Sequence, residues 1–459
     1  MKKSFSILCA SLVLSLSGCQ TLHSDNKTST ETTETAQSPL KDYRFENGLR
    51  LIVKEDRRSP IVMTQIWYEV GSIDEPVGKG GISHFLEHLM FKDSTLLSGE
   101  DFHRVLNHFG SSKNAFTSYD FTAYYESLPA NQYPIALEIE AARMQNLILR
   151  DEEIETERQV IFEERRQRTD SNPLAKAYEE FFALAMPDSP RGRPIIGSMA
   201  DIENISPSDL KAWYDTWYAP NNATLVMVGD ISAADAYKWA KKYFGDATPK
   251  ALPERTLPIQ KSHRGYTAKE TRQAVNVPTL IMGFNVPSLS SDNPKDALAL
   301  SVFSDIADGG YSARFEQTLV REKALFDSIG ASYNLLQKGD ALFVIVATPK
   351  AGVTLEQAET EILNTLANIS HGEIRDEELS RGQTNLAASL IFNNESIAST
   401  AQNLGVLSML GLPLDTVENL PKTLSALKKS DIQAAGKHYL VRENLTRLSV
   451  LPQADSDTH

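Results

Sequence analysis

The chain has 459 residues, 46 of them Lys or Arg and 60 Asp or Glu, giving a formal charge of −14 with histidine neutral. Such an anionic chain does not suit a phosphate backbone, so no nucleic-acid partner is expected. With 41% hydrophobic and 23% charged residues, the composition excludes wholesale disorder and a polytopic membrane protein, and the length suffices for two or three domains with large cores.

The N-terminus carries Lys2 and Lys3, an apolar run from Phe5 to Leu16, then Ser17-Gly18-Cys19. This is the pattern of an export signal with small residues at the cut, too short for a comfortable transmembrane helix. The two cysteines, Cys9 and Cys19, both fall inside it, so a disulfide scaffold is excluded. Leu16-Ser17-Gly18-Cys19 also resembles the lipobox of bacterial lipoproteins. By that resemblance residues 1–18 are a lipoprotein signal peptide, and Cys19 is lipidated and heads the mature chain. Gln20, rather than Asp, then implies a Gram-negative outer-membrane lipoprotein on the periplasmic face. A plain cleaved signal is the alternative. Residues 19–40, rich in Ser, Thr, Gln and Glu, read as a flexible tether.

Asn47-Gly48, between Tyr43-Arg44-Phe45 and Leu49-Arg50-Leu51-Ile52-Val53, predicts a two-residue hairpin. From Ile61 to Val70 one face (Val62, Thr64, Ile66, Tyr68, Val70) alternates with another (Met63, Gln65, Trp67, Glu69), a strand period. Helical patterns dominate from Ile82 to about Leu184. The chain then echoes itself. Ser208-Asp209-Leu210 leads through Tyr218 and Asn222 to Thr224, and Ser430-Asp431-Ile432 leads through Tyr439 and Asn444 to Thr446; Gln65 to Val70 echoes Leu280 to Val286 more weakly. Matching ends so far apart predict a duplicated domain rather than a short-period solenoid. Pro249, Pro253 and Pro258 mark a linker at 249–264 between a domain at 41–248 and one at 265–455. Without strict βαβ alternation or a glycine-rich phosphate loop, each half reads as α+β.

The segment Gly80-Gly81-Ile82-Ser83-His84-Phe85-Leu86-Glu87-His88-Leu89-Met90 carries the chemistry. Its glycines permit a tight entry and Ser83 is a candidate helix cap. His84, Glu87 and His88 stand at i, i+3 and i+4 on one helical face. Two imidazoles one turn apart can reach one divalent ion, and the glutamate between them can take a proton from water. A surface helix with polar side chains is the bland alternative. A catalytic site of this kind wants a third protein ligand. The helix Glu152 to Gln167 offers Glu157 and Glu164, two turns apart on the stripe of Ile154, Val160 and Ile161, where a carboxylate is costly unless paired or bound. Glu163, Arg165 and Arg166 are expected to point into solvent.

On these motifs, together with Tyr218-Ala219-Pro220-Asn221-Asn222-Ala223-Thr224, the chain resembles the insulinase/pitrilysin-type zinc metallopeptidases, the inverzincins. Within them it is similar to the bacterial two-domain chains like mitochondrial processing peptidase. The resemblance spans residues 41–455 and implies two duplicated α+β domains, each a mostly antiparallel sheet flanked by helices. It implies His84, His88 and Glu164 as ligands of one Zn2+ per chain, Glu87 as general base and later acid, and Glu157 as the carboxylate orienting a ligand imidazole. Asn114, Ala115 and Phe116, in Asn114-Ala115-Phe116-Thr117-Ser118, resemble the family's substrate-binding edge strand, the alternative being an ordinary turn into a strand. The second domain of the family supplies an Arg and a Tyr that bind substrate; here Arg321 is in place but Ser328 occupies the tyrosine position. The resemblance therefore implies a dimer, either with an Arg/Tyr-bearing homologous chain or with itself, Arg321 acting alone or Tyr333 filling in. The expected activity is a zinc endopeptidase cleaving unfolded peptides or short protein fragments in the periplasm. The rivals are a non-catalytic peptide-binding or assembly subunit of the same fold, and the same ligands used with manganese or cobalt.

Overall fold

The computed structural model describes residues 40–255, 265–392 and 395–453. The expected export signal, Cys19 and the tether up to residue 39 lie outside the described residues, as do 256–264 of the linker and the last residues of the expected second domain.

Strands β1 (Lys41–Arg44) and β2 (Arg50–Glu55) form the first hairpin. Its loop is one residue longer than the Asn-Gly signal predicts. Phe45 N–H pairs with Leu49 O at 2.9 Å and Gly48 N–H with Phe45 O at 3.0 Å, leaving Glu46, Asn47 and Gly48 in the turn. Gly48, at φ +90°, supplies the left-handed residue such a loop needs. Asn47 is committed elsewhere, its side-chain amide donating to Phe244 O at 2.7 Å and Ala247 O at 3.0 Å.

The remaining strands are β3 (Ile61–Tyr68), β4 (Ser112–Thr117), β5 (Thr122–Pro129) and β6 (Ala223–Gly229), then β7 (Thr267–Gln273), β8 (Thr279–Pro287), β9 (Phe326–Tyr333), β10 (Asp340–Pro349) and β11 (Leu445–Pro452). They build two sheets, ordered β1-β2-β6-β3-β5-β4 and β7-β11-β8-β10-β9. Without β1 the two orders match position for position. In each, one parallel pair (β2 with β6, β7 with β11) adjoins an otherwise antiparallel sheet. The echoed segments occupy equivalent places: Ser208 and Ser430 open helices (Pro207–Trp217 and Lys429–Tyr439) that feed β6 and β11. The α+β reading with two similar, mostly antiparallel halves holds.

Each sheet is covered on both faces. In the N-terminal half, Leu51, Ile66, Tyr68 and Leu225 pack beneath helices carrying Phe85, Leu86, Ile154, Ile161 and Leu210. The opposite face, with Ile52, Met63, Trp67, Val226 and Val228, is covered by Ile397, Ala401 and Leu404 of a helix from the C-terminal half, Ile397–Met409. This is why β3 is buried on both sides despite its two-residue period. Gly405 makes that approach possible, since a Cβ there would run into the Trp67 indole. The exchange is reciprocal: helix Pro173–Ala185 of the N-terminal half lays Ala177, Phe181 and Ala185 on Ile281, Val344 and Leu448 of the second sheet, with Gly283 leaving room for the Phe181 ring. Of the linker, residues 249–255 carry no regular structure, and Arg255 lies over Trp217 and pairs with Glu69 and Asp74. Among the described residues no helix is long and apolar enough to cross a membrane.

Candidate functional site

The helix carrying the histidines spans Ile82–Leu89. Ser83 is not its cap: Gly81, left-handed at φ +90°, is the cap residue, and Ser83 sits inside the first turn with its hydroxyl buried. The orphan N–H groups go instead to Glu75, whose carboxylate accepts from Gly81 N–H at 2.8 Å and Ser83 N–H at 3.0 Å. Burial drives the Glu75 carboxyl up to about 8, against those two bonds. Gly80 and Gly81 lie so close to Ile196 and Gly197 that a Cβ on Gly81 or Gly197 would meet backbone.

On this helix His84 and Glu87 are buried and His88 is half-buried, with the two imidazole centroids 4.6 Å apart. The third group arrives from helix Asp151–Arg165. Glu164 Oε2 stands 3.6 Å from His84 Nε2 and 3.5 Å from His88 Nε2, and all three ligand atoms lie within 4.8 Å of one another. Tetrahedral zinc with bonds of about 2.0–2.2 Å separates its ligand atoms by roughly 3.3–3.6 Å, close to these spacings. Glu164 Oε2 is buried without a hydrogen-bond partner among the described residues, as a metal-facing oxygen would be. Its other oxygen pairs with Arg168 at 2.6 Å.

Electrostatics separate the two imidazoles. Burial and the neighbouring His88 charge push His84 down to about 4. Burial also opposes a charge on His88, but Glu157 and Glu164 outweigh it and hold His88 up at about 9. Glu157 Oε1 meets His88 Nδ1 at 2.8 Å, whereas His84 Nδ1 has no partner among the described residues. Glu157 Oε2 meets Lys92 Nζ at 2.6 Å. Burial works to raise the Glu157 carboxyl, yet the bonds from His88 and Lys92 bring it down to about 2. Two imidazoles facing ionised carboxylates form a donor set that a divalent cation satisfies.

Glu87, whose carboxyl burial raises, accepts a hydrogen bond at Oε2 from Thr117 Oγ1, 2.5 Å away. Thr117 ends β4, the exposed edge of the first sheet. The sequence run containing Thr117 predicts the edge strand but not this contact. Asn114 lines a cavity of about 670 Å3 with Glu87, His88, Lys92 and Glu157, and its Oδ1 accepts from Ala115 N–H at 2.9 Å. Phe116 turns away, packing edge-on against Trp67 and Phe121 on the other face, so its backbone alone is available at the edge.

Other expectations fail for identifiable reasons. Val160 is exposed and Arg165 is buried, because the inward face of this helix lines a polar site: Arg165 donates to Glu179 at 2.9 Å and to Gly197 O at 2.7 Å. Glu163 and Arg166 are solvated as expected. Arg321 is not brought to the cluster. It pairs with Glu316 at 2.8 Å and lies 3.1 Å over the exposed Tyr311 ring, while Ser328 is exposed on the edge strand β9. Tyr333 cannot fill in, because its hydroxyl is bonded to Pro287 O and burial raises its pKa. Lys92 carries no spacing signal of its own, whereas Arg168 stands four residues after Glu164, an i,i+4 pairing readable from the sequence.

Comparison with known proteins finds relatives along most of the chain. The profile of the family described as Insulinase (Peptidase family M16) matches residues 50–198, and that described as Peptidase M16 inactive domain matches residues 204–386. Zinc protease PqqE of Helicobacter pylori is 32% identical over 373 residues, covering 80% of this chain and 83% of that protein. Uncharacterized zinc protease YmxG of Bacillus subtilis is 24% identical, covering 88% of this chain and 96% of that one. The crystal structure of a protease from Helicobacter pylori superposes with a TM-score of 0.83 at 28% identity, covering 91% of this chain and 100% of that one.

Proposed function

The chain belongs to the insulinase family of peptidases, family M16, and from that premise we propose that it is a zinc-dependent endopeptidase cleaving unfolded peptides or short protein fragments. The observation that carries this is the convergence of His84 Nε2, His88 Nε2 and Glu164 Oε2 on one point beside Glu87. His84, His88 and Glu164 would hold the ion, one per chain, and Glu157 would fix the His88 ring through Nδ1. Zinc bound there supplies Lewis acidity, acidifying water and polarising a scissile carbonyl.

The rest is the work of side chains and one strand. Glu87 takes the proton of the attacking water and returns it to the leaving amine, and its burial-raised pKa suits both halves of that cycle. Thr117 occupies Oε2 of Glu87, which leaves Oε1 for the proton. The open edge of β4 at Asn114, Ala115 and Phe116 receives the peptide as an added strand held by main-chain hydrogen bonds, which favours extended, unfolded substrates. Arg321, exposed and outside the cluster of its own chain, is the substrate contact from the second half when two copies of this chain pair; in a dimer with an Arg/Tyr-bearing homologous chain the partner supplies that contact. The Leu16–Cys19 pattern supports a lipid anchor at Cys19 on the periplasmic face of the outer membrane.

The deciding experiment is metal analysis of residues 20–459 followed by hydrolysis of a quenched unstructured peptide, with Glu87→Gln as the blank. Zinc near one equivalent and activity above the blank are expected. A folded, zinc-loaded chain that stays silent even with a homologous partner would overturn the peptidase reading in favour of a peptide-binding subunit.

A further inference from the structure

The hairpin carrying the β4 edge ends in the turn Ser118-Tyr119-Asp120-Phe121, closed by Ser118 N–H to Phe121 O at 2.8 Å. Its backbone is pinned from below by Ser72 N–H and Ile73 N–H, which donate to Ser118 O and Tyr119 O. The Asp120 carboxylate is buried; it accepts from Arg191 Nη2 at 2.6 Å and from Lys338 N–H at 3.3 Å. Arg191, also buried, gives the same nitrogen to Lys338 O at 2.6 Å and lays its guanidinium 5.3 Å from the Tyr119 ring centre.

Lys338 belongs to the β9–β10 turn of the C-terminal half, and its ammonium meets Glu69, just past β3, at 2.7 Å. That turn is ordered from within. Ser288 Oγ and Ser290 Oγ donate to Gln337 O, and Gly339 N–H donates to Ser290 Oγ. A rigid loop of one half thus grips the tip of a hairpin of the other, three residues from the threonine that touches Glu87.

A buried ion pair adds little stability over an apolar pair of the same shape; its value lies in fixed geometry. The apolar contacts between the halves lie on the sheet faces, under the exchanged helices, and reach the turn through Phe121, whereas this pair fixes the Tyr119–Asp120 side of the tip. We propose that Arg191 is a positioning residue of the peptidase: by tying Asp120 and Tyr119 to the Lys338 carbonyl, it holds the β4–β5 hairpin so that Thr117 meets Glu87 and the β4 edge stays presented. The inference rests on the reading of Glu87 as proton acceptor. It gives the half that lacks the metal-binding residues a part in the chemistry, through a contiguous set of packed and hydrogen-bonded groups.

The test is a kinetic double-mutant cycle of Arg191→Met and Thr117→Val in the full chain, solubilised in detergent and loaded with zinc. Arg191→Met is expected to keep metal content while lowering kcat about tenfold, and to change kcat less than about twofold once Thr117→Val is present, because groups acting through one contact are not additive. Equal losses in both backgrounds would overturn the proposal. Arg191→Lys should recover part of kcat, which a purely volumetric role would not predict. If Arg191→Met does not fold, Asp120→Asn takes its place in the cycle with the same expectation. Hydrogen exchange separates this idea from the peptidase reading. Even in a chain without activity, Arg191→Met must raise exchange across residues 117–121 and leave the Ile82–Leu89 helix protected; unchanged exchange in the hairpin would sink the positioning role alone.

Discussion

The two halves share a sheet order, and one pair of helices aligns residue by residue: Arg150-Asp151-Glu152-Glu153-Ile154 opens the helix of Glu157 and Glu164, and Arg375-Asp376-Glu377-Glu378-Leu379 opens helix Asp376–Phe392. Carried down both helices, the alignment puts Gly382 opposite Glu157 and Ser389 opposite Glu164. In the N-terminal half two carboxylates face the His84 helix and need cations or a metal. In the C-terminal half the glycine lets helix Asp376–Phe392 close onto helix Pro294–Asp308, where a Cβ on Gly382 would sit 3.1 Å from Val302. One scaffold thus serves two ends, a polar cleft where side chains hold the helices apart and a closed packing where their absence lets them meet.

The comparison breaks first at Glu87. Glu87→Gln should keep the bound zinc and lower turnover at least about a hundredfold, the scale of a lost general base; peptide hydrolysis at wild-type rate would remove the catalytic distinction between the halves. Next comes metal content. Glu164→Ala should empty the site in an elemental analysis that Glu163→Ala leaves unchanged, since Glu163 is exposed and, among the described residues, bonded to Arg166 and Gln167. Glu157→Ala should weaken zinc affinity by about 10–100-fold, as expected for a group that orients a ligand. Equal effects of all three would mean that placement beside the two imidazoles does not select the ligand.

Converting the closed half toward the open one sharpens the contrast. Gly382→Glu forces an unpartnered carboxylate against Val302 and should cost about 2–4 kcal/mol of stability in a denaturant titration, without altering zinc content. Glu153 and Glu378, aligned acids, give the smallest and most discriminating test. Burial raises the Glu378 carboxyl, but bidentate Arg314 and the Arg375 N–H and side chain outweigh it and bring it down to about 2. A depressed folded-state pKa contributes stability above the ordinary carboxyl range and loses it as pH falls through about 2. Glu378→Gln should therefore cost about 2 kcal/mol at pH 7 and little at pH 2. Glu153 is shifted the other way, raised first by burial and then by Asp93; its ionisation opposes the folded state, so Glu153→Gln should leave stability at pH 7 unchanged or slightly higher.

Much of the site was legible because it is local. His84, Glu87 and His88 declare themselves by spacing along one turn, and Glu157 and Glu164 by occupying a face where carboxylates are costly. What stayed hidden depends on partners far along the chain. Glu75 caps the His84 helix across a glycine loop, so Ser83 took the credit that spacing gives a cap. Arg165 looks like a surface cation until Glu179 and the Gly197 carbonyl are brought beside it. Tyr333 looks like a free phenol until β8 supplies the Pro287 carbonyl. The fold class followed from strand and helix periods, but an apolar helix such as Ile397–Met409 reports that it is buried, not which sheet buries it.

That last helix carries a consequence for ancestry. Once each copy of a duplicated unit covers the other's sheet, neither can be discarded: deleting the C-terminal copy would leave Met63, Trp67 and Val226 bare, and deleting the N-terminal copy would strip Phe181 from Ile281 and Leu448. The copy without the histidine and glutamate cluster is then kept by interlock, free to drift in its cleft while bound to keep its shape.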